Sequence, residues 1–146
     1  MAELLKEDPE ALAARIVTTH ADGDAWLDAF ADALARHRAG HQLTRILTTW
    51  GLSASAASRI FGVSRQAVSK WLSRGVPEER LEAVARLSAC TDLLARYLKR
   101  ERIPAVVRRP AAALDGLSLL DLVEQGRSRE ALEACRAMFD FGRTHP

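Results

Sequence analysis

Apolar positions recur every three or four residues along most of the chain, and alternating β-branched runs are nearly absent, so the pattern predicts an all-α fold. Asp8-Pro9-Glu10 places a capping residue before a proline at a first helical position, and Leu12, Ile16 and Val17 follow at helical spacing to about His20. Ala21-Asp22-Gly23-Asp24 interrupts the pattern and offers Asp24 as the next cap. Trp26, Leu27, Phe30 and Leu34 then mark a second helix to about His37, ended by Gly40, and Leu43, Ile46, Leu47 and Trp50 a third, closed by Gly51. Pro77-Glu78-Glu79 opens a long helix with Leu81, Val84, Ala85, Leu87, Leu94, Tyr97 and Leu98 on its buried positions. It is predicted to stop near Arg102, because Pro104 disfavours helix at the residue before it. Residues 104–110 read as extended or irregular, and two short helices, Ser118 to Glu124 and Ser128 to Phe141, follow on either side of Gly126.

Between the third and the long helix, Ser53 to Ser73 meets the steric demands of a helix-turn-helix. Ala57 and Phe61 face inward from its first helix, and Ser58 is small where the two helices approach. Gly62 stands at the helix end where a positive φ is needed, Val63 plugs the turn into the core, and Ser64 caps the second helix. Along that second helix Ala67, Val68, Trp71 and Leu72 share one side, which leaves Arg65, Gln66, Ser69, Lys70 and Ser73 on the other, without an acid among them. A helix of this kind, laid with its N-terminal half in the major groove, can use Arg65 on guanine, Gln66 on adenine and Ser69 on either. Lys70 and Arg74 are better placed for phosphates, and Arg59 and Arg45 on the preceding helices for the backbone as it passes.

The net charge of +2 hides a division along the chain. Residues 1–40 hold four Lys/Arg against eight Asp/Glu, residues 41–110 thirteen against five, and residues 111–146 four against six. A middle of about +8 between acidic flanks points to a polyanion, because each neutralised phosphate releases condensed counterions. Double-stranded DNA is therefore the expected partner.

Other chemistries find little to attach to. The chain has no Gly-rich phosphate loop, nucleophile elbow or paired-carboxylate spacing, so it reads as a non-enzyme without a cofactor. His37 and His41 are four apart but lack a third ligand, and no metal site is expected. Cys90 and Cys135 lie inside helical patterns and read as buried free thiols. Acidic residues among Met1 to Glu10 and the lack of a long apolar run predict a cytoplasmic protein that does not enter a membrane. The Trp26, Phe30 and Leu34 stripe packs on the domain or supplies a dimer seam, and a homodimer is expected because two recognition helices then meet successive major-groove faces.

Ser53 to Leu72, above all Gly-Val-Ser-Arg-Gln-Ala-Val-Ser-Lys-Trp-Leu from Gly62, resembles the helix-turn-helix of the Xre-like regulators. Pro110 to Gly126 resembles the toxin-binding domain of the Xre/MbcA/ParS type of antitoxin: Pro110, Leu114, Gly116, Leu120, Leu122 and Gly126 match its pattern, while Leu117 replaces the usual Arg and Leu119 the usual Pro. The resemblance implies a type II antitoxin, a transcriptional repressor of its own operon that masks a toxin, commonly one of the RES type that consumes NAD. The two resemblances cover about residues 43–141; with the junction at Pro104–Pro110 the chain divides into a helix-turn-helix DNA-binding domain over 41–103 and a partner-binding subdomain over 104–146, and the acidic residues 1–40, outside the resemblance, read as a helical segment available for dimerisation. The last stretch, Phe139 to Pro146, reads as a frayed end, with a reach toward a partner's pocket as the alternative. A different class of function also fits the pattern: a protein-interaction module using the helix-turn-helix as scaffold, without specific DNA binding.

Overall fold

The computed structural model describes residues 6–140, which form eight α-helices and no strand. The all-helical expectation holds. The chain divides into two compact units, residues 1–35 and 36–146.

In the first unit α1 (Pro9–Thr19) starts as the sequence signals: the Asp8 carboxylate accepts from the Ala11 N–H at 3.0 Å, and proline occupies the first turn. Asp24, expected as a cap, is instead the first residue of α2 (Asp24–Trp50). No residue between 6 and 35 is fully buried. Trp26 stacks on His20 at 3.5 Å and on Phe30 at 5.2 Å, yet remains 44% exposed, and Val17 and Leu34 are more exposed still.

The second unit corrects the expected break at Gly40. The second and third helices of the sequence pattern are one, α2, running without interruption to Trp50. Gly40 is buried, and a Cβ placed on it would sit 2.8 Å from the Trp71 carbonyl oxygen. The glycine therefore serves a close approach of α2 to the end of α4 (Arg65–Arg74) rather than a helix stop. The true stop is Gly51, with φ +68°, where the Leu52 N–H reaches back to the Leu47 carbonyl at 2.8 Å. The Arg108 guanidinium donates to the carbonyls of Trp50 at 2.8 Å and Gly51 at 2.9 Å, which satisfies acceptors that the helix end leaves open.

The helix-turn-helix follows as α3 (Ala54–Phe61) and α4. A single 3₁₀ turn, Glu78–Arg80, leads into α5 (Leu81–Tyr97), which ends five residues before the expected Arg102. The buried face of α5 is Val84, Leu87, Ser88, Thr91 and Leu94 with Cys90, whereas Ala85 and Tyr97, expected inside, are exposed. Residues 104–110 were expected to be irregular, but most of them fold as α6 (Ile103–Arg108). Pro104 sits in its first turn, where the missing N–H costs no hydrogen bond, and Ile103 before it adopts a helical φ of −59°. Then come α7 (Leu119–Glu124) and α8 (Ser128–Met138), the latter shorter than expected; Phe141 lies outside the described residues.

One hydrophobic core joins the elements of this unit, from Leu43, Ile46 and Trp50 through Ala57, Val68, Val84, Leu94, Ile103 and Leu119 to Ala131 and Cys135. Helix α5 packs on α8, α3 on α4 and α7, and α7 also on α6 and α8. The C-terminal helices are thereby built onto the first helix of the helix-turn-helix. Cys90 and Cys135 are free and fully buried; the neighbouring Cys135 thiol and burial push the Cys90 thiol well above its usual range. Among the described residues no helix is long and apolar enough to cross a membrane.

Candidate nucleic-acid interface

Local hydrogen bonding fixes both helices of the motif. The Ser53 hydroxyl accepts from the Ala56 N–H at 3.1 Å and begins α3; the Ser64 hydroxyl does the same for Ala67 at 3.1 Å and begins α4. Between them Gly62 has φ +64°, and the Val63 N–H closes on the Ser58 carbonyl at 3.0 Å. Ala57 and Val68 are fully buried at the crossing. Phe61 and Trp71 meet edge to face, 5.6 Å apart, and the Arg80 guanidinium lies 5.7 Å over the Trp71 ring.

With Val68 and Trp71 turned inward, Arg65, Gln66, Ser69, Lys70, Ser73 and Arg74 are all exposed. Gln66, Ser69, Lys70, Ser73 and Arg74 border one shallow depression of about 360 Å³. Ser64 is spent on its cap, and Ser73 donates to the Ser69 carbonyl on its own helix at 3.1 Å. Arg65 is not loose: its guanidinium donates to the Ser55 hydroxyl of α3 at 3.2 Å, which steadies it at the N-terminal end of the outer face. Arg59 is exposed in the last turn of α3.

The structure adds one residue that the sequence pattern did not single out. Arg36, on α2, shares a second depression of about 470 Å³ with Lys70, Trp71 and Arg74, with Glu78 and Glu79 at one side. It is held there by its backbone, since its carbonyl accepts from the Val76 N–H at 3.0 Å while Gly75 packs against it. Only this through-space pairing reveals it, and the sequence holds no local signal for that. Arg45, by contrast, is bound elsewhere: it pairs with Asp92 of α5 at 2.5 Å and lines a separate depression with Thr49, Ala95, Leu98 and Arg100.

Among the described residues Arg15, Arg45, Arg86 and Arg127 are paired with carboxylates. Arg36, Arg59, Arg65, Lys70 and Arg74, on and around α4, belong to the larger set of cations that are not. Five unneutralised charges on and beside α4 make an anion-seeking surface whose interactions strengthen as salt falls. His37 and His41 lie one turn apart on the continuous α2, and no group of three or more His, Cys, Asp or Glu side chains able to hold a metal occurs among the described residues.

In the C-terminal helices the positions that matched the toxin-binding pattern are mostly structural. Gly116 and Gly126 have φ of +83° and +75°; Leu122 is buried, and Leu114 and Leu120 are half-buried. Leu119, where the pattern has Pro, is buried in the core, and Leu117 is half-buried against it. Ser118 and Asp121 cap α7 reciprocally, at 2.8 and 3.0 Å.

No protein-family model and no curated protein matches the chain. A chain from the crystal structure of the M. tuberculosis MbcT–MbcA toxin–antitoxin complex matches it with a TM-score of 0.56 and 24% sequence identity, over 68% of this chain and 91% of that one. The likeness is one of fold.

Proposed function

We propose that this chain is a sequence-specific DNA-binding regulator of the antitoxin type, which represses its own operon and binds a toxin through residues 104–146. The observation that carries the reading is the exposed outer face of α4, free of acid and carrying Arg65, Lys70 and Arg74, with Arg36 and Arg59 beside it and none of the five paired with a carboxylate. In this reading Arg65 and Gln66 read base edges in the major groove, Ser69 supports them, and Lys70, Arg74, Arg59 and Arg36 hold phosphates. Ser64 fixes the N-terminus of α4, where the helix dipole also favours a phosphate. Residues 1–40 join two copies, so that the paired α4 helices meet the duplex about 34 Å apart. The protein acts in the cytoplasm by binding, not by catalysis.

The toxin half of the proposal is supported by the shared fold, since the matched structure is described as a toxin–antitoxin complex, and by the resemblance of residues 110–126, which favours a toxin of the RES type. Duplex binding measured across a salt series tests the DNA half: affinity should fall with a log–log slope of roughly −0.9 per neutralised phosphate. Undetectable or salt-insensitive binding sinks it. Co-expression with the product of the adjacent gene tests the toxin half, which fails if that protein does not co-purify with the wild-type chain.

A further inference from the structure

Helix α8 carries two apolar sides, one sealed in the core and a second that the protein covers only in part. Ala131 and Cys135 are fully buried where α8 meets α5 and α7. Ala134, Ala137 and Met138 recur at helical spacing on a second side, where Ala137 is exposed and Met138 is 45% exposed. Facing them is the 3₁₀ turn Ala112–Leu114, held rigid because the Ala111 N–H donates to the Leu117 carbonyl at 3.1 Å and the Gly116 N–H to the Ala111 carbonyl at 3.0 Å. The groove between them measures about 560 Å³, and apart from Glu130 and Glu133 every side chain lining it is apolar.

Size and charge specify the occupant. Alanines on both walls leave room for one bulky apolar side chain and for a close backbone approach, and Met138 is a side chain that adapts its shape to a guest. Glu130 is already neutralised by Arg127 at 2.5 Å, which holds its carboxyl below the usual range. Glu133 has no ion pair among the described residues, and residues 111–146 carry six acids against four bases. Glu133, the one unpaired carboxylate among the described residues at the groove, disfavours nucleic acid there. It equally disfavours the exposed Val17, Trp26 and Leu34 of a second copy, because residues 1–40 carry eight acids against four bases. We infer that this groove is a docking site for an amphipathic helical segment of a protein partner, one that inserts a bulky apolar anchor and sets a Lys or Arg against Glu133. The inference rests on the partner-binding role proposed for residues 104–146 and names the seat and the chemistry of the guest.

The test uses the full chain and two fluorescent probes, a short Leu/Lys amphipathic peptide and its Leu/Glu counterpart, with backbone amide shifts recorded on the ¹⁵N-labelled protein. The Leu/Lys peptide should shift residues 111–116 and 133–138, and Ala137→Arg and Glu133→Lys should each weaken it about tenfold or more, as expected for a charge reversed or inserted at the contact. The Leu/Glu peptide should not bind. Both substitutions are on the surface, and an unchanged thermal melt shows that the variants fold. Shifts confined to residues 9–34, equal affinity in Ala137→Arg, or a dimer that Ala137→Arg dissociates in the absence of peptide would each overturn the inference, the last by making a second copy the occupant. Failure here is separable from failure of the partner proposal: a co-expressed partner retained equally by wild type and Ala137→Arg overturns the groove alone.

Discussion

Gly40 and Trp71 lie so close that a single methyl group will not fit between them: a Cβ on the glycine would stand 2.8 Å from the Trp71 carbonyl oxygen. The obstructing atom is backbone in the last turns of α4, so it cannot swing aside. This contact ties the pose of α4 to α2.

Gly40→Ala therefore sets two effects against each other. Alanine in a helix interior gains about 1 kcal/mol over glycine, while overpacking costs about 1–3 kcal/mol, and here the rigid neighbour puts the cost at the upper end. The expected net is a loss of about 1–2 kcal/mol, read as a lower urea midpoint at unchanged slope. Gly62→Ala is the control: nothing lies within 4 Å of its Cβ, so only the φ of +64° is charged, about 1 kcal/mol. A Gly40→Ala variant as stable as wild type would show that α2 and α4 do not touch in this way.

The same pair explains what the sequence reveals and what it conceals. Ser53, Gly62 and Ser64 announce the helix-turn-helix because each acts on hydrogen bonds within three to five residues of itself. Gly40 acts on a residue thirty-one positions away, and from the sequence it looks like a helix stop. Pro104 misleads similarly, since the rule against helix before proline is overridden by Ile103, which is fully buried in the core. The phosphate-binding candidates divide the same way: Lys70 and Arg74 follow from the period of α4, but Arg36 joins them through the Val76 N–H, and Arg45 is drawn off by Asp92.

Arg65 and Lys70 should respond differently to truncation. Arg65→Ala should cost about 1–3 kcal/mol on the preferred duplex and relax the choice at one base, whereas Lys70→Ala and Arg36→Ala should weaken all duplexes alike and flatten the salt slope by about 0.9. Selection of bound DNA from random duplexes, followed by salt titration of each variant, measures both. Identical behaviour of Arg65→Ala and Lys70→Ala would refute the division of roles. Ser55→Ala, which removes the hydrogen bond to the Arg65 guanidinium, should weaken base selection in the same direction as Arg65→Ala but to a smaller extent.

Arg108 is a cation with a structural task. Its guanidinium closes the end of α2 on Trp50 and Gly51, so Arg108→Ala should lower stability by about 1 kcal/mol, since solvent competes for part of the bond. Arg108→Lys, which cannot span both carbonyls, should fall in between. Neither change should flatten the salt slope of duplex binding; if Arg108→Ala does, the residue contacts phosphate instead.

Trp50 and Thr91 supply the sharpest test of the core. The indole N–H donates to the Thr91 hydroxyl at 3.0 Å, and that hydroxyl donates onward to the Leu87 carbonyl at 2.7 Å, with Trp50 and Thr91 both essentially sealed from water. Thr91→Val keeps the shape and removes the acceptor, so the indole N–H is left buried and unpaired, at a cost of about 1–3 kcal/mol. Thr91→Ser keeps the acceptor and loses one methyl, about 1 kcal/mol. Adding Trp50→Phe to Thr91→Val removes the orphaned donor as well, and in that background the change at Thr91 should cost less than it does beside Trp50. Strictly additive losses in this cycle would mean that the hydrogen bond contributes nothing and that packing alone joins α2 to α5.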